Sequence, residues 1–326
     1  MLASSESATG FARAERTASH FVLAGREFLG GGGMSRLFVT GAGGMVGSYV
    51  SEVFKGWDVV LTDIVDGMTR VDVRDPEGVR GAFNEARPDV VLHLAAATDV
   101  DRCQREPEWA YHSNAVGTQN VALACQALDV PLVYVSTGSV FSGEKAEPYI
   151  EFDEPAPVNV YANAKLAGER IVASLLRRAY IVRAGWMIGG GARDTKFVGK
   201  IVDLIGAGRT PLRAVADTFG TPTYAKDLLG GIARLISTGY FGLYHMGNTG
   251  SCTRHDVALA VRDALGRPDI AVEAVDSSVF PLPAPRPRSE AIRNLKLDLL
   301  GMSMRPWREA LQEYVTTELA PRLHRV

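Results

Sequence analysis

A short apolar strand that runs straight into a glycine loop constrains this chain more than any other feature. Residues 36–40 (RLFVT) are β-branched and apolar enough to form a buried first strand. They enter the loop TGAGGMVG at residues 40–47 without a spacer. Gly41 allows the tight turn, Gly44 lets backbone approach a pyrophosphate, and Gly47 lets a helix pack closely on the strand. Ser48, Tyr49 and Val50 then open a helix whose first amides would face phosphate oxygens. Met45 and Val46 complete that phosphate loop. A second strand at 58–62 ends at Asp63, roughly 20 residues beyond Gly41, where an acid reaches a ribose 2′-hydroxyl. A glycine-rich surface turn, the alternative, does not account for that second strand and its acid.

The rest of the N-terminal half keeps a strand–helix rhythm. Residues 71–73 (VDV) read as a short strand end leading into Arg74-Asp75-Pro76, a helix start. Residues 89–96 (DVVLHLAA) form a continuous apolar run, as a strand buried on both faces should. A helical segment at 109–128 leads through Pro131 to a strand at 132–136, and another strand follows at 180–182. The expected fold is therefore α/β, a Rossmann-type doubly wound parallel sheet of about six strands with a smaller C-terminal substrate lobe. Residues 34–326 are expected to form one unit, its dinucleotide-binding core mainly 34–185 and its substrate lobe mainly 186–326.

Tyr161 and Lys165, in VYANAKLAGER, lie four residues apart and so on one helix face. A neighbouring ammonium favours the phenolate and is expected to lower the tyrosine pKa. Such a phenol is a usable general acid for a nascent alkoxide. An exposed helix surface would also permit this pair. The preceding glycine loop makes hydride transfer at a carbonyl carbon the stronger reading.

On these motifs the chain resembles the extended short-chain dehydrogenase/reductase superfamily and, within it, the dTDP-4-dehydrorhamnose reductase family, from about residue 34 to 315. The resemblance is carried by TGAGGMVG, VDVRD, HLAAATDVDRCQREPEWAYHSNAVGT, VYVSTGSVF, EFDEPAPVNVYANAKLAGE, RAGW, ADTFGTPTYAKDL, GLYHMGNTG and RPRSEAIRNLKL. It implies that Thr137 bonds the substrate carbonyl, Tyr161 donates the proton and Lys165 binds the nicotinamide ribose. It implies an adenine contact at Asp72 and Val73, and a strand end beneath the nicotinamide at Ala95, Ala96 and Ala97. Asn114 matches a helix asparagine that supports a water-mediated proton relay, although a helix-kinking or capping role suits it equally. Trp186 matches a substrate-contacting tryptophan, or else packs in the core. The implied substrate is a nucleotide-activated 4-keto-6-deoxy sugar, and the implied cofactor NADH or NADPH, with Asp63 favouring NADH.

Departures from the family pattern fall on the sugar side. Where the family usually reads Ser-Thr-Asp-Tyr-Val-Phe, this chain has Ser136-Thr137-Gly138-Ser139-Val140-Phe141. Gly138 and Ser139 thus replace an acid and a phenol, which predicts a roomier pocket with fewer polar partners. They also argue against a dehydratase, which carries Asp-Glu after the threonine. An epimerase with the same fold remains an alternative, as does a non-catalytic NAD(P)-binding regulatory subunit, which the intact Thr137/Tyr161/Lys165 set disfavours. Among Arg209, Arg213, Arg286 and Arg288, Arg286 is the expected ligand for a diphosphate.

With 326 residues, 46% of them hydrophobic, the chain can bury a full core. A net charge of −2 gives no polyelectrolyte signal, so nucleic acid is not an expected partner. Three cysteines and six histidines show no metal-ligand spacing, and no catalytic metal is expected. The odd cysteine count and the lack of a secretory signal point to a reducing cytoplasm. No apolar run is long enough to span a membrane, and a homodimer is the assembly common in the superfamily. Residues 1–33 read as a weakly helical, partly disordered extension, and the proline-rich stretch 280–287 as a rigid loop of the substrate lobe.

Overall fold

The computed structural model describes residues 34–323; the expected extension at 1–33 lies outside them. The apolar runs form seven parallel strands. They are β1 (Arg36–Thr40), β2 (Asp58–Asp63), β3 (Thr69–Arg70), β4 (Val90–His93), β5 (Leu132–Thr137), β6 (Ala179–Ala184) and β7 (Gly242–Met246). Side chains alternate between the two faces of a strand, and here both faces are covered. Leu37 and Val39 enter one core cluster and Phe38 the other; Val90 and Leu92 separate from Val91 in the same way. Helices Pro76–Ala86, Gly117–Leu128 and Val160–Leu175 cover the Phe38 face. Helices Ala225–Thr238 and Trp307–Tyr314 cover the Leu37 face.

The sheet order is β7-β6-β5-β4-β1-β2-β3. β1 bonds to both β2 and β4, so the direction of winding reverses there, which opens a crevice at the carboxyl ends of these strands. The strand beyond the expected six is β7, whose GLYHMGN neighbourhood hides it behind a histidine and two glycines. His245 is nevertheless fully buried, and burial above all, with Arg183 adding to it, lowers its pKa to about 3 and keeps the ring neutral. The helix expected at 109–128 is interrupted by a π-helical turn, His112–Val116, that contains Asn114.

The C-terminal part adds small sheets to this core. Trp186–Ile188 pairs with Pro222–Tyr224, and Leu212–Val215 with Val272–Val275. Phe219–Gly220 lies between Cys252–Thr253 and Ser289–Glu290. These elements stand over the carboxyl ends of the main strands. No helix among the described residues is long and apolar enough to cross a membrane.

Candidate active site

The glycine loop is tight because its neighbours leave no room for side chains. Gly41 has φ +73°, and a Cβ there would press into the backbone of Leu94 and Ala95; at Gly47 it would meet the backbone of Ala42. The loop is fastened by Ala42 N donating to Thr62 O (3.0 Å) and Gly44 N to Gly41 O (3.2 Å). Gly41, Gly44, Met45, Val46 and Gly47 line one end of a cleft of about 690 Å³. Asp63, Asp72, Val73, Ala95, Ala96 and Ala97 line the same end. Asp63 closes the loop's far side: Oδ2 accepts the Gly43 amide (2.8 Å) and Oδ1 the Ile64 amide (2.6 Å). Asp72 is forked by Arg74 at 2.6 Å, a pair that holds its carboxyl below the usual range. This cradle of bare backbone, ending at an acid, fits a dinucleotide.

Across the cleft, helix Val160–Leu175 begins where the Asn159 side chain accepts the Ala162 amide at 2.9 Å, an N-cap that fixes its entry. Tyr161 and Lys165 both face the cleft. The Lys165 ammonium donates to Val135 O (2.8 Å) and lies 4.1 Å from the Tyr134 ring centroid. Burial lowers its pKa to about 7, against the pull of Glu169. The expected lowering of the Tyr161 pKa is not what this arrangement produces. Burial pushes the phenol up to about 12, hydrogen bonding to Thr137 works against the rise, and the charge of Glu290 adds to it. The lysine charge is directed at the β5 backbone rather than at the phenol. A phenol at about 12 keeps its proton at neutral pH, the form that a general acid requires.

Thr137 ends β5, and its Oγ accepts the Ser139 amide at 3.1 Å. A hydroxyl that accepts there still has its own proton to donate into the cleft. Beneath the helix, Glu169 continues the four-residue spacing of Tyr161 and Lys165 and meets Arg183 of β6 at 2.7 Å, both side chains 4% exposed. Ser136 Oγ adds a 2.5 Å bond to Glu169. Glu169 is not among the residues expected from the sequence, although an acid four residues after Lys165 is a readable signal. Asn114 lies behind the strand end: its side chain accepts the Ala97 amide (2.7 Å) and donates to Ala97 O (3.0 Å).

Of the residues expected at the sugar, Thr137, Ser139, Trp186 and Arg286 line the cleft and Gly138 does not; Asn114 is also outside the lining. Gly138 corrects the expectation of added room. A Cβ there would lie 3.1 Å from both Glu290 O and Ile292 Cγ2, so the Glu290 carbonyl and the Ile292 side chain already occupy the space a side chain would take. Arg286 is paired with Asp101 at 3.0 Å, while Arg209, Arg213 and Arg288 are exposed outside the cleft. The cleft's unpaired guanidinium belongs instead to Arg254, which sequence analysis did not single out. It lies 3.8 Å from the Trp186 ring and 5.0 Å from the Phe197 ring. Burial lowers its pKa to about 10, so it remains charged, and no carboxylate among the described residues pairs with it. Glu290 is nearby but accepts the Trp186 indole at 3.0 Å. Trp186 packs over Gly220, and its ring also lines the cleft. Arg254 is the first residue of a helix closed by a Thr253/Asp256 capping box, a local signal that carries no hint of a ligand.

A dinucleotide cradle facing a tyrosine–lysine helix across the mouth of a doubly wound sheet defines an extended short-chain dehydrogenase/reductase. The family model described as the RmlD substrate binding domain matches residues 35–319. A dTDP-4-dehydrorhamnose reductase from Mycolicibacterium smegmatis is 38% identical over 286 residues, covering 86% of this chain and 85% of that protein. The crystal structure of the Yersinia enterocolitica dTDP-4-dehydrorhamnose reductase superposes with a TM-score of 0.80 at 38% identity, covering 87% of this chain and 100% of that one. The Bacillus anthracis enzyme of that name, solved in complex with NADP, gives 0.81 at 35% identity, with 86% and 99% covered. The chain belongs to the dTDP-4-dehydrorhamnose reductase family.

Proposed function

We propose that the protein reduces the 4-keto group of a nucleotide-activated 6-deoxy sugar, in the manner of a dTDP-4-dehydrorhamnose reductase. The observation that carries this reading is Tyr161, hydrogen-bonded to Thr137, in one cleft with the glycine cradle. When bound, a reduced nicotinamide supplies the hydride. Tyr161 donates its proton to the oxygen that gains charge as the carbonyl is reduced. Thr137 orients that oxygen through its remaining proton, and Lys165 holds the nicotinamide ribose. Asn114, by fixing both polar atoms of the Ala97 peptide, keeps the floor of the cleft in place. Trp186 covers the sugar, with Ser139 at its edge. Arg254 takes the diphosphate, since a desolvated guanidinium without a carboxylate partner is matched by phosphate oxygens.

The same reading makes NADH the favoured cofactor through Asp63, with NADPH also accepted. It also places the enzyme in the cytoplasm as a homodimer, whose mass sedimentation would measure. The deciding experiment follows loss of NADH and NADPH absorbance with dTDP-4-dehydro-6-deoxy-L-mannose generated in situ. Turnover that vanishes in Tyr161→Phe supports the proposal. Interconversion of epimers without net oxidation would replace it with an epimerase. Tight dinucleotide binding without turnover would point to another nucleotide sugar or a regulatory subunit.

A further inference from the structure

Three consecutive glycines lie over the glycine loop, and the C-terminal end of the chain holds each of them. Gly189, Gly190 and Gly191 take φ values of +133°, +89° and +50°, which bend them into an arch above Met45. A Cβ on Gly190 would lie 3.1 Å from Met45 Cγ and 3.5 Å from its Cα, so the arch rests directly on the loop. Trp186 and Met187 before the arch, and Lys196 and Phe197 after it, line the cleft. The arch therefore sets how far these residues stand from the glycine loop.

Helix Trp307–Tyr314 continues through a π-helical turn, Val315–Leu319, that carries Glu318. Tyr314 Oη donates to Gly189 O at 2.9 Å, and Arg322 Nη1 donates to Gly191 O at 3.2 Å. Gly190 is held through an intermediary. Its amide donates to Tyr49 Oη at 2.7 Å, and that hydroxyl donates to Glu318 Oε2 at 2.6 Å. Glu318 Oε1 accepts Tyr224 Oη at 2.5 Å. Burial above all, and then the bond to Glu318, raises both phenols above their usual range, so each keeps the proton it donates. Tyr49 stands two residues after Gly47, and its amide donates to Val46 O at 3.2 Å. One carboxylate thus fastens, through one buried hydroxyl, both the turn that follows the glycine loop and the arch above it.

We propose that Glu318 is a positioning residue for the dinucleotide: acting through Tyr49, it holds the glycine loop and the arch at the spacing in which the loop amides receive a diphosphate. This rests on the dinucleotide reading above and not on the identity of the sugar. Glu318 does not line the cleft, so its effect on a ligand passes through the loop. The loop offers main-chain amides rather than charged side chains, and such donors bind only at distances of about 3 Å with good alignment.

The test measures binding without sugar. Isothermal titration calorimetry of the full chain gives dissociation constants for NADH, for ADP-ribose, which keeps the diphosphate, and for AMP, which lacks it. Glu318→Gln and Tyr49→Phe should each weaken NADH and ADP-ribose about tenfold, and AMP less than about threefold. Because the two residues act through each other, the double variant should be no weaker than the worse single one. Tyr224→Phe removes the other phenol from Glu318 and leaves the Tyr49–Gly190 bond in place, so its NADH affinity should stay close to that of the wild type. Should Glu318→Gln fail to fold, Tyr49→Phe carries the test, since it loses one oxygen and keeps its ring against Tyr224, centroids 5.8 Å apart. Unchanged NADH binding in Tyr49→Phe, an equal loss on AMP, or an equal effect of Tyr224→Phe would overturn the proposal. A wild-type chain that binds neither NADH nor ADP-ribose would overturn it together with the cofactor reading beneath it.

Discussion

The two ends of the cleft are built by different means. The glycine-loop end comes from consecutive strand ends, Gly41 to Val73 and then Ala95 to Ala97, and its shape depends on missing side chains and on backbone amides. The Trp186 end gathers Thr137, Trp186, Arg254 and Glu290 from segments far apart in sequence, and its shape depends on side chains stacked on one another. A backbone cradle tolerates change around it so long as its glycines stay. A side-chain stack changes with each residue, which is how one scaffold can serve different sugars.

That contrast breaks most visibly at the tyrosine. Tyr161→Phe should lower kcat by about 10²–10⁴-fold with dinucleotide affinity retained; comparable loss of affinity would show that the two ends are not separable. Next in size is Glu169→Gln, which leaves the Arg183 charge buried without its partner. It should cost about 3–5 kcal/mol of stability, seen as a lower Tm in thermal unfolding, whereas a surface pair such as Lys226–Glu52 should cost about 1 kcal/mol or less. Arg254→Ala should raise the sugar nucleotide KM by about 10- to 100-fold without changing NADH affinity. The same substitution at Arg286, already paired with Asp101, should raise it less, and the opposite ranking would restore Arg286 as the diphosphate ligand.

Smaller effects sharpen the comparison further. Lys165, its pKa lowered to about 7, is charged below that pH and neutral above it. Affinity for the dinucleotide, measured by titration at fixed salt, should therefore fall severalfold as pH rises through about 7. Lys165→Arg, whose charge persists, should flatten that profile. Gly138→Ala should have the smallest effect, a modest loss of Tm as Glu290 and Ile292 give way by a few tenths of an ångström; a large change in sugar preference would return Gly138 to the pocket wall.

The same division decides what could be read from the sequence. β1, the glycine loop and Asp63 are adjacent in the chain and obey a fixed spacing, so their local pattern reveals them. Tyr161 and Lys165 share one helical turn and are equally legible. Arg254 has no such signature, because what makes it a candidate ligand is contact with Trp186 and Phe197 from other segments. Gly138 looked like added space because sequence shows a missing side chain but not the Glu290 carbonyl and Ile292 side chain that lie against it. β7 was missed because its histidine and glycines disguise a buried strand. The sign of the Tyr161 shift was misjudged for a related reason: proximity to Lys165 is visible in the chain, whereas burial and the Val135 carbonyl that holds the ammonium are not.

The glycine segment at 189–191, whose positive φ values lay it over Met45, has a practical consequence for anyone recombining these proteins. Tyr49 Oη donates to Glu318 Oε2 at 2.6 Å while receiving the Gly190 amide, and Arg193 reaches Gly43, 150 positions earlier in the chain. A chimera joined between the dinucleotide and sugar portions would draw these partners from different parents. The two portions are therefore not interchangeable cassettes, and a graft should hold only when Tyr49, the glycines at 189–191 and Glu318 are inherited as a set.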